Sequence, residues 1–364
     1  MSQMGGFGGF GGFGGFGGFG GFGGAGNLNV TGLGSFLGAG ADPAYDPLLV
    51  QGLQITEQAI THVANGGAEP GHPQELRFSS AGNMGLWADW VRASLYLTDF
   101  MRDFNWSVGG HDKCVSLSYG GDSFYTVHRP DIGVFERQLK LMRNYLDQRP
   151  DRTPEILTQL GFPTPYFVML LGLQTGTNNH TFELITITQV IAAHVAMVVK
   201  HHLACRRPDR IGHQVMPMIP TPAHGSFPSA HATEAFAVAE VLNGLVEFQS
   251  GHYGDYKKRQ ALISKLAERI AVNRTVAGLH FPIDSWAGAV LGRAIGQIVL
   301  AKCGRGDEVQ GYSYDAHDAD FSLAEFAKGA NDIGVKKVDP CSVSSSDLFR
   351  WLWDRVCDEY TFAR

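Results

Sequence analysis

Lys200-His201-His202-Leu203-Ala204-Cys205-Arg206-Arg207-Pro208, Phe227-Pro228-Ser229-Ala230-His231-Ala232-Thr233-Glu234, and Arg274-Thr275-Val276-Ala277-Gly278-Leu279-His280-Phe281-Pro282-Ile283-Asp284 are the three clusters on which the reading of this chain turns. Each sits at the edge of an apolar segment with helical spacing. The first closes a helix predicted over Thr181–Ala204, which Pro208 stops at about Arg206 or Arg207. If that helix persists, Lys200 and Arg207 lie nearly on one side of it, two turns apart. The second cluster opens a helix over Ala232–Phe248, and the third separates helices over Tyr256–Gly278 and Ser285–Cys303, the last rich in small residues suited to close helix packing.

Outward from these clusters the pattern stays helical. Pro47–Asn65, Leu86–Phe104, Asp131–Asp147, Thr153–Leu160 and Ser346–Tyr360 carry apolar residues at helical spacing. Ser107–Thr126, rich in Gly, Ser and Tyr, reads as an irregular loop or a short hairpin. Strand signals are otherwise sparse, so the expected class is all-α. Residues 5–24 are repeated Gly-Gly-Phe triplets, in which glycine makes ordering entropically costly and isolated Phe builds no core. Residues 1–41 are therefore expected to be a disordered Gly/Phe-rich tail, with weak self-association or tethering as its sharper alternative. Residues 42–364 are expected to form one helical catalytic domain.

Composition narrows the class further. An apolar content of 44% and a charged content of 18% allow a sizeable core, and a net charge of −6 argues against nucleic-acid binding. Five scattered cysteines show neither zinc spacing nor a disulfide framework. The most apolar runs are short or interrupted by polar residues, and no basic leader with an apolar stretch opens the chain. The expectation is a protein with no membrane span, soluble and cytoplasmic.

Lys200, Arg207 and Arg274 supply three cations, and an anion with two or three charges leaves water only where its charge is matched. Ser229 and Ala230 precede a helix whose N-terminal amides and dipole favour an anion, although Ser229 is equally an ordinary N-cap. Asp284, four residues after His280, either orients its imidazole or caps the helix behind it, and the two roles are compatible. His231 reads as a general acid or a plain helix-start residue, and His224 as a loop histidine bonded to backbone.

Taken in order, Lys-x6-Arg-Pro, Pro-Ser-Ala-His and Arg-x5-His-x3-Asp resemble the signature of the vanadium-dependent haloperoxidases, shared with the type-2 phosphatidic acid phosphatases and the class A acid phosphatases. One departure is Ala230, where the family has Gly. The resemblance implies a helical bundle of the haloperoxidase/acid phosphatase type. It implies His280 as the axial group that binds vanadium or attacks phosphorus. Lys200, Arg207, Ser229, Ala230 through its amide, and Arg274 would hold the oxygens, with His231 as acid–base residue and Asp284 positioning His280. The cofactor would be vanadate, with phosphate in its place in a phosphatase. The approach to the second cluster, from Pro217 to Phe227, is similar to that of the haloperoxidases, and His224 stands where bromoperoxidases carry a second histidine. The first expectation is thus oxidation of a halide, most simply bromide, by hydrogen peroxide, with a small organic substrate as possible acceptor. The second is phosphomonoester hydrolysis through a phosphohistidine, and the third a non-catalytic oxyanion-binding scaffold. A homo-oligomer is expected by resemblance.

Overall fold

A computed structural model describes residues 47–64, 74–111, 113–324 and 333–361. Residues 1–41, and with them the expected tail and any self-association through it, lie outside the described residues.

The centre of the fold is a group of four helices: α6 (Asn179–Leu203), α7 (Ala230–Phe248), α8 (Tyr256–Val276) and α9 (Pro282–Lys302). Helix α7 packs against the other three, most extensively against α9. The reason is legible in α9, where Gly288, Gly292 and Gly296 form one stripe at helical spacing facing α7. A methyl group at Gly288 would stand 2.5 Å from the Ser229 carbonyl oxygen and 2.8 Å from Ala232 Cβ. This close approach brings the start of α7 beside the start of α9, where the Ser229 amide donates to the Asp284 carbonyl at 2.9 Å.

The other described helices are α1 (Pro47–Ala64), α2 (Asp89–Asp103), α3 (Ile132–Met142), α4 (Arg149–Thr158), α5 (Thr164–Leu171) and α10 (Asp347–Thr361). A tight turn of 3-10 helix, Arg143–Gln148, joins α3 to α4. The start of α6 is capped from far along the chain: Glu359 on α10 accepts from the amides of His180 at 2.5 Å and Thr181 at 3.1 Å. Those are two of the donors that a helix N-terminus leaves unpaired.

The all-α expectation needs correction. A five-stranded mixed sheet joins the helices, in the order β1 (Phe104–Gly109), β2 (Cys114–Tyr119), β3 (Asp122–His128), β4 (Glu308–Tyr314) and β5 (Val335–Ser342). The pairings are antiparallel except β3 with β4, which is parallel. The stretch expected as a loop or hairpin is thus most of three strands. Its alternation was present in the sequence, since Val115, Leu117 and Tyr119 point inward, but glycines and serines masked it. Tyr125 donates to the Ala287 carbonyl at 3.1 Å and Tyr314 to that of Ile283 at 3.5 Å, so the sheet braces the first two turns of α9.

A second correction concerns the end of α6. It stops at Leu203, and Ala204 turns left-handed at φ 48°, its amide bonded to the Lys200 carbonyl at 3.0 Å. Arg207 is extended rather than helical. It is not a helical neighbour of Lys200, and the two meet by chain reversal. The helix is also more apolar than expected. Asn179–Arg210 is long and apolar enough to cross a membrane by length and composition, and 83% of its most apolar window is buried within the protein.

Candidate active site

The sharp reversals between helices deliver the motif residues to two adjoining clusters. At the end of α8, Gly278 adopts φ 82°, a conformation that disfavours any side chain, and the Leu279 amide closes back on the Arg274 carbonyl at 3.0 Å. His280 follows at once, and Pro282 opens α9 in the first turn, where its missing N–H costs nothing.

In the first cluster His280 is 3% exposed and Asp284 is fully buried. Asp284 Oδ2 faces His280 Nδ1 at 2.9 Å, accepts from the Phe281 amide at 3.0 Å, and also accepts a short hydrogen bond from the Ser226 hydroxyl. Asp284 therefore both orients the imidazole and caps α9. His280 Nε2 lies 2.9 Å from Arg207 Nη1. A guanidinium only donates, so Nε2 is the acceptor and the ring proton sits on Nδ1, shared with Asp284. Burial, with Arg207 and Lys200 beside it, pushes His280 well below the usual imidazole range. The result is a neutral imidazole with its Nε2 lone pair directed at a cation.

Arg207 is 4% exposed, whereas its neighbour Arg206 is exposed. Its remaining bonds go to the carbonyls of His224 and Leu279, both at 3.1 Å, and to His224 Nδ1 at 3.2 Å. Lys200 Nζ donates to the carbonyls of Gly225 and Ser226, each at 2.8 Å. His224 is half-buried, and its Nε2 is buried without a partner. Burial, then Lys200 and Arg207, push it down to about 3.

In the second cluster Arg274 and His231 meet at the end of α4. Arg274 Nη1 donates to the Gln159 carbonyl at 3.1 Å and Nη2 to that of Ile156 at 3.3 Å, while its Nε is buried without a partner. His231 Nε2 lies 3.0 Å from the same Gln159 carbonyl, so that nitrogen carries the ring proton. Burial and the charge of Arg274 push His231 down to about 3, with Arg207 and Lys200 adding to the effect. His231 thus feels the charges of both clusters, although no hydrogen bond joins it to His280.

Ser229 acts as the N-cap of α7, accepting from the Ala232 amide at 3.4 Å, and Ala230 begins an ordinary helical turn. The backbone there needs no left-handed conformation, so alanine in place of glycine carries no strain. Two residues in contact with the motif side chains escape a reading by motif. Ser226 binds Asp284, and Gln159 holds Arg274 and His231 from a helix outside all three clusters. Ser226 lay inside the approach to the second cluster; Gln159 carries no sequence signal.

The cations define the chemistry. Lys200, Arg207 and Arg274 are each at most 4% exposed and bond only carbonyls or imidazoles and an amide oxygen. Burial pushes Arg207 and Arg274 down to about 10, so both stay charged at neutral pH. Glu234, the nearby buried carboxyl, is pushed well above the carboxylate range by burial and supplies no ready countercharge. Among the described residues no group of three or more His, Cys, Asp or Glu side chains is placed to hold a metal cation. Buried positive charge, the orphaned Arg274 Nε and a neutral imidazole whose Nε2 lone pair meets a guanidinium suit a tetrahedral oxyanion, phosphate or vanadate alike.

Arg207 and Lys200 thus lie beside the His280–Asp284 pair, and Arg274 beside His231 in the adjoining cluster. Residues 182–304 match the PAP2 superfamily, a span that runs through α6 to α9 and includes every motif residue. The chain is 30% identical over 109 residues to decaprenylphosphoryl-5-phosphoribose phosphatase of Mycobacterium tuberculosis, strains CDC 1551 / Oshkosh and ATCC 25618 / H37Rv. The match takes in 30% of this chain, and the chain spans about half the length of these curated relatives, 54%. Among solved structures, a transmembrane PAP2-type phosphatidylglycerolphosphate phosphatase of Bacillus subtilis aligns at 19% identity with a TM-score of 0.38, over 46% of this chain and 85% of that one. The expected superfamily is supported at the level of a PAP2 domain, and the curated relatives named above carry phosphatase names.

Proposed function

We propose that the chain is a phosphohydrolase that cleaves a phosphomonoester through a phosphorylated His280. The observation that carries the proposal is the buried set of cations that, among the described residues, hydrogen-bonds no carboxylate, beside a neutral imidazole whose Nε2 lone pair meets Arg207. The phosphatase names of the curated relatives point the same way.

The dianionic phosphoryl group takes over the N–H groups that now bond backbone carbonyls. Arg207 swings from His280 Nε2 to a phosphoryl oxygen, which frees the lone pair as the substrate arrives. Lys200, Arg274 Nε–H and the amides at the start of α7 supply further donors, an electrostatic arrangement already in place before charge builds up. His280 Nε2 then bonds phosphorus and the P–O bond to the alcohol breaks. Asp284 steadies the positive charge that appears on the ring, keeping its hold on the Nδ1 proton. His231 is neutral in the free site because burial and Arg274 disfavour its charged form. A phosphate dianion opposes Arg274, so His231 takes up a proton and delivers it to the leaving alkoxide. In the second half His231 accepts a proton from water, whose oxygen bonds phosphorus as the P–N bond breaks.

The test is hydrolysis of p-nitrophenyl phosphate by the purified full chain, with acid quenching to capture an acid-labile phosphoenzyme. His280→Ala should lower turnover by about 10⁴-fold or more, as removal of a nucleophile does, and should remove the phosphoenzyme. Full activity in that variant ends the proposal.

A second reading has an observation of its own. His224, bonded to Arg207 with an unpartnered Nε2, stands at the position that resembles the second histidine of bromoperoxidases. On that reading His280 Nε2 would ligate vanadate, and the same cations would hold its oxygens. Bound vanadate supplies a Lewis acid that activates hydrogen peroxide toward bromide. Bromination by the vanadate-treated protein, with peroxide and bromide and no phosphomonoesterase activity, would favour this reading. Phosphate binding with neither activity would favour an oxyanion-binding scaffold. Solubility in the cytoplasm and homo-oligomerisation remain proposals for fractionation and light scattering.

A further inference from the structure

We infer that Asn273 is a positioning residue: it latches the last turn of α4 onto the anion site, where that helix end stands in for a phosphoryl group. The inference rests on the oxyanion reading of the site and adds a displacement to it. The Gln159 carbonyl accepts from Arg274 Nη1 at 3.1 Å and from His231 Nε2 at 3.0 Å, and the Ile156 carbonyl accepts from Arg274 Nη2 at 3.3 Å. One oxygen thus engages both the guanidinium that would hold the phosphoryl group and the imidazole that would protonate the leaving alcohol. Both carbonyls belong to the end of α4. A helix end leaves its last acceptors unpaired and carries a negative charge of about half an elementary unit. A phosphoryl dianion carries far more, so it displaces the carbonyls where a neutral ligand would not.

Asn273 holds the turn in that position. It is fully buried and lies on α8 immediately before Arg274. Its Nδ2 donates to Gln159 Oε1 and to Glu155 Oε2, each at 3.0 Å, and its Oδ1 accepts from Arg152 Nη1 at 3.0 Å. A guanidinium only donates and a carboxylate accepts, so the orientation of this amide is fixed. Arg269 clasps Glu155 from outside, at 2.7 and 2.9 Å. Two features work against the latch. Gln159 Nε2 is buried with no hydrogen-bond partner among the described residues, a cost that release of the turn removes. Leu157 and Leu160 are exposed, so the outer side of the turn has little packing to lose.

The experiment measures inorganic phosphate binding to the full chain by calorimetry, and backbone amide exchange with and without phosphate. Phosphate should speed exchange at residues 156–162 while slowing it around His280. Asn273→Ala should tighten phosphate binding by about three- to tenfold, the worth of one net hydrogen bond, and lower KM for p-nitrophenyl phosphate without raising kcat. Arg269→Ala should tighten binding by about twofold. It keeps the test open if the buried variant fails to fold, and a gain there cannot come from charge, because the variant loses a cation. A merely structural asparagine gives the opposite sign, since Arg274 would be loosened and binding weakened. Unchanged or weaker binding in both variants, or exchange at 156–162 that phosphate leaves unchanged or slows, would overturn the latch alone. Phosphate binding by none of the three proteins would end the oxyanion reading and the latch with it.

Discussion

Arg92 and Arg274 are both buried guanidinium groups, and they are held in opposite ways. Arg92 makes a two-pronged ion pair with Glu183, Nε to Oε1 and Nη2 to Oε2, both at 2.7 Å. Burial alone would push Glu183 up, but its bonds to Arg92 and His180 bring it below the usual range, so the pair is ionised and balanced. Lys302 is treated similarly, 3.0 Å from Asp99 and 3.4 Å from Asp103. Arg274, Arg207 and Lys200 find mainly carbonyl oxygens and no carboxylate. Dipoles satisfy their hydrogen atoms, and Asp284 acts on Lys200 and Arg207 through its charge without a hydrogen bond to either. The balanced pairs bind one part of the fold to another; the unbalanced cations hold a charge that an incoming anion completes.

The sharpest way to break this comparison is to remove one cation of each kind. Arg207→Met should lower phosphatase turnover by about 10²–10³-fold, the loss typical of one oxyanion donor, while its melting temperature holds or rises. Arg92→Met should leave turnover near normal but destabilise the fold by about 3–5 kcal/mol, because Glu183 is left buried and unpaired. Equal stability losses in the two variants would erase the distinction.

Asp284→Asn should cost about 10–100-fold in turnover, as removal of an orienting partner does. Burial pushes the Asp284 carboxyl up to about 6, against the pull of the Ser226 hydroxyl, Lys200, the Phe281 amide and Arg207. Because the folded value lies above the ordinary aspartate value of 3.8, the fold binds this proton more tightly than the unfolded chain does. The associated stability is present at low pH and is lost as pH rises through about 6. Turnover should move the other way, falling as pH drops through about 6, since protonated Asp284 no longer supports the imidazole. Paired pH profiles of turnover and melting temperature check both directions, and Asp284→Asn should lose the acid limb.

Phosphate at about a hundred times its dissociation constant should stabilise the fold by about 2.7 kcal/mol, read as a rise in melting temperature. Burial, followed by the charge of Arg207, pushes Lys200 well below its usual range, and an arriving anion opposes that shift. Binding should therefore take up protons, with a calorimetric enthalpy that depends on the buffer, and weaken as pH rises. Smallest is Gly288→Ala, expected to cost about 1–3 kcal/mol by overpacking α7 against α9, with turnover lowered through the displaced Ser229 and Asp284. A fully active, equally stable variant would show that this contact does not set the site.

The helices around the motifs were legible because long apolar segments with helical period declare themselves, and their ends were marked by Pro208, Gly278 and Pro282. The sheet was less legible. Strands β1 to β3 have local alternation diluted by Gly and Ser, while the pairing of β3 with β4 joins Tyr125 to Tyr312 across the four central helices, a contact no local pattern encodes. Pro208 marks only the latest point at which this helix can end; it ends at Leu203, because Ala204 turns left-handed, and no local sequence signal marks that turn.

From the sequence alone came the donor inventory, its order and its division among helix ends: side-chain chemistry and periodicity are local properties, readable residue by residue. The tertiary structure alone decided that, among the described residues, Lys200, Arg207 and Arg274 pair directly with no carboxylate while Arg92 and Lys302 do. It also decided that Gln159 holds His231 and Arg274 from outside the motifs. Charge balance depends on which distant segments are brought within a few ångströms, and that is fixed by packing.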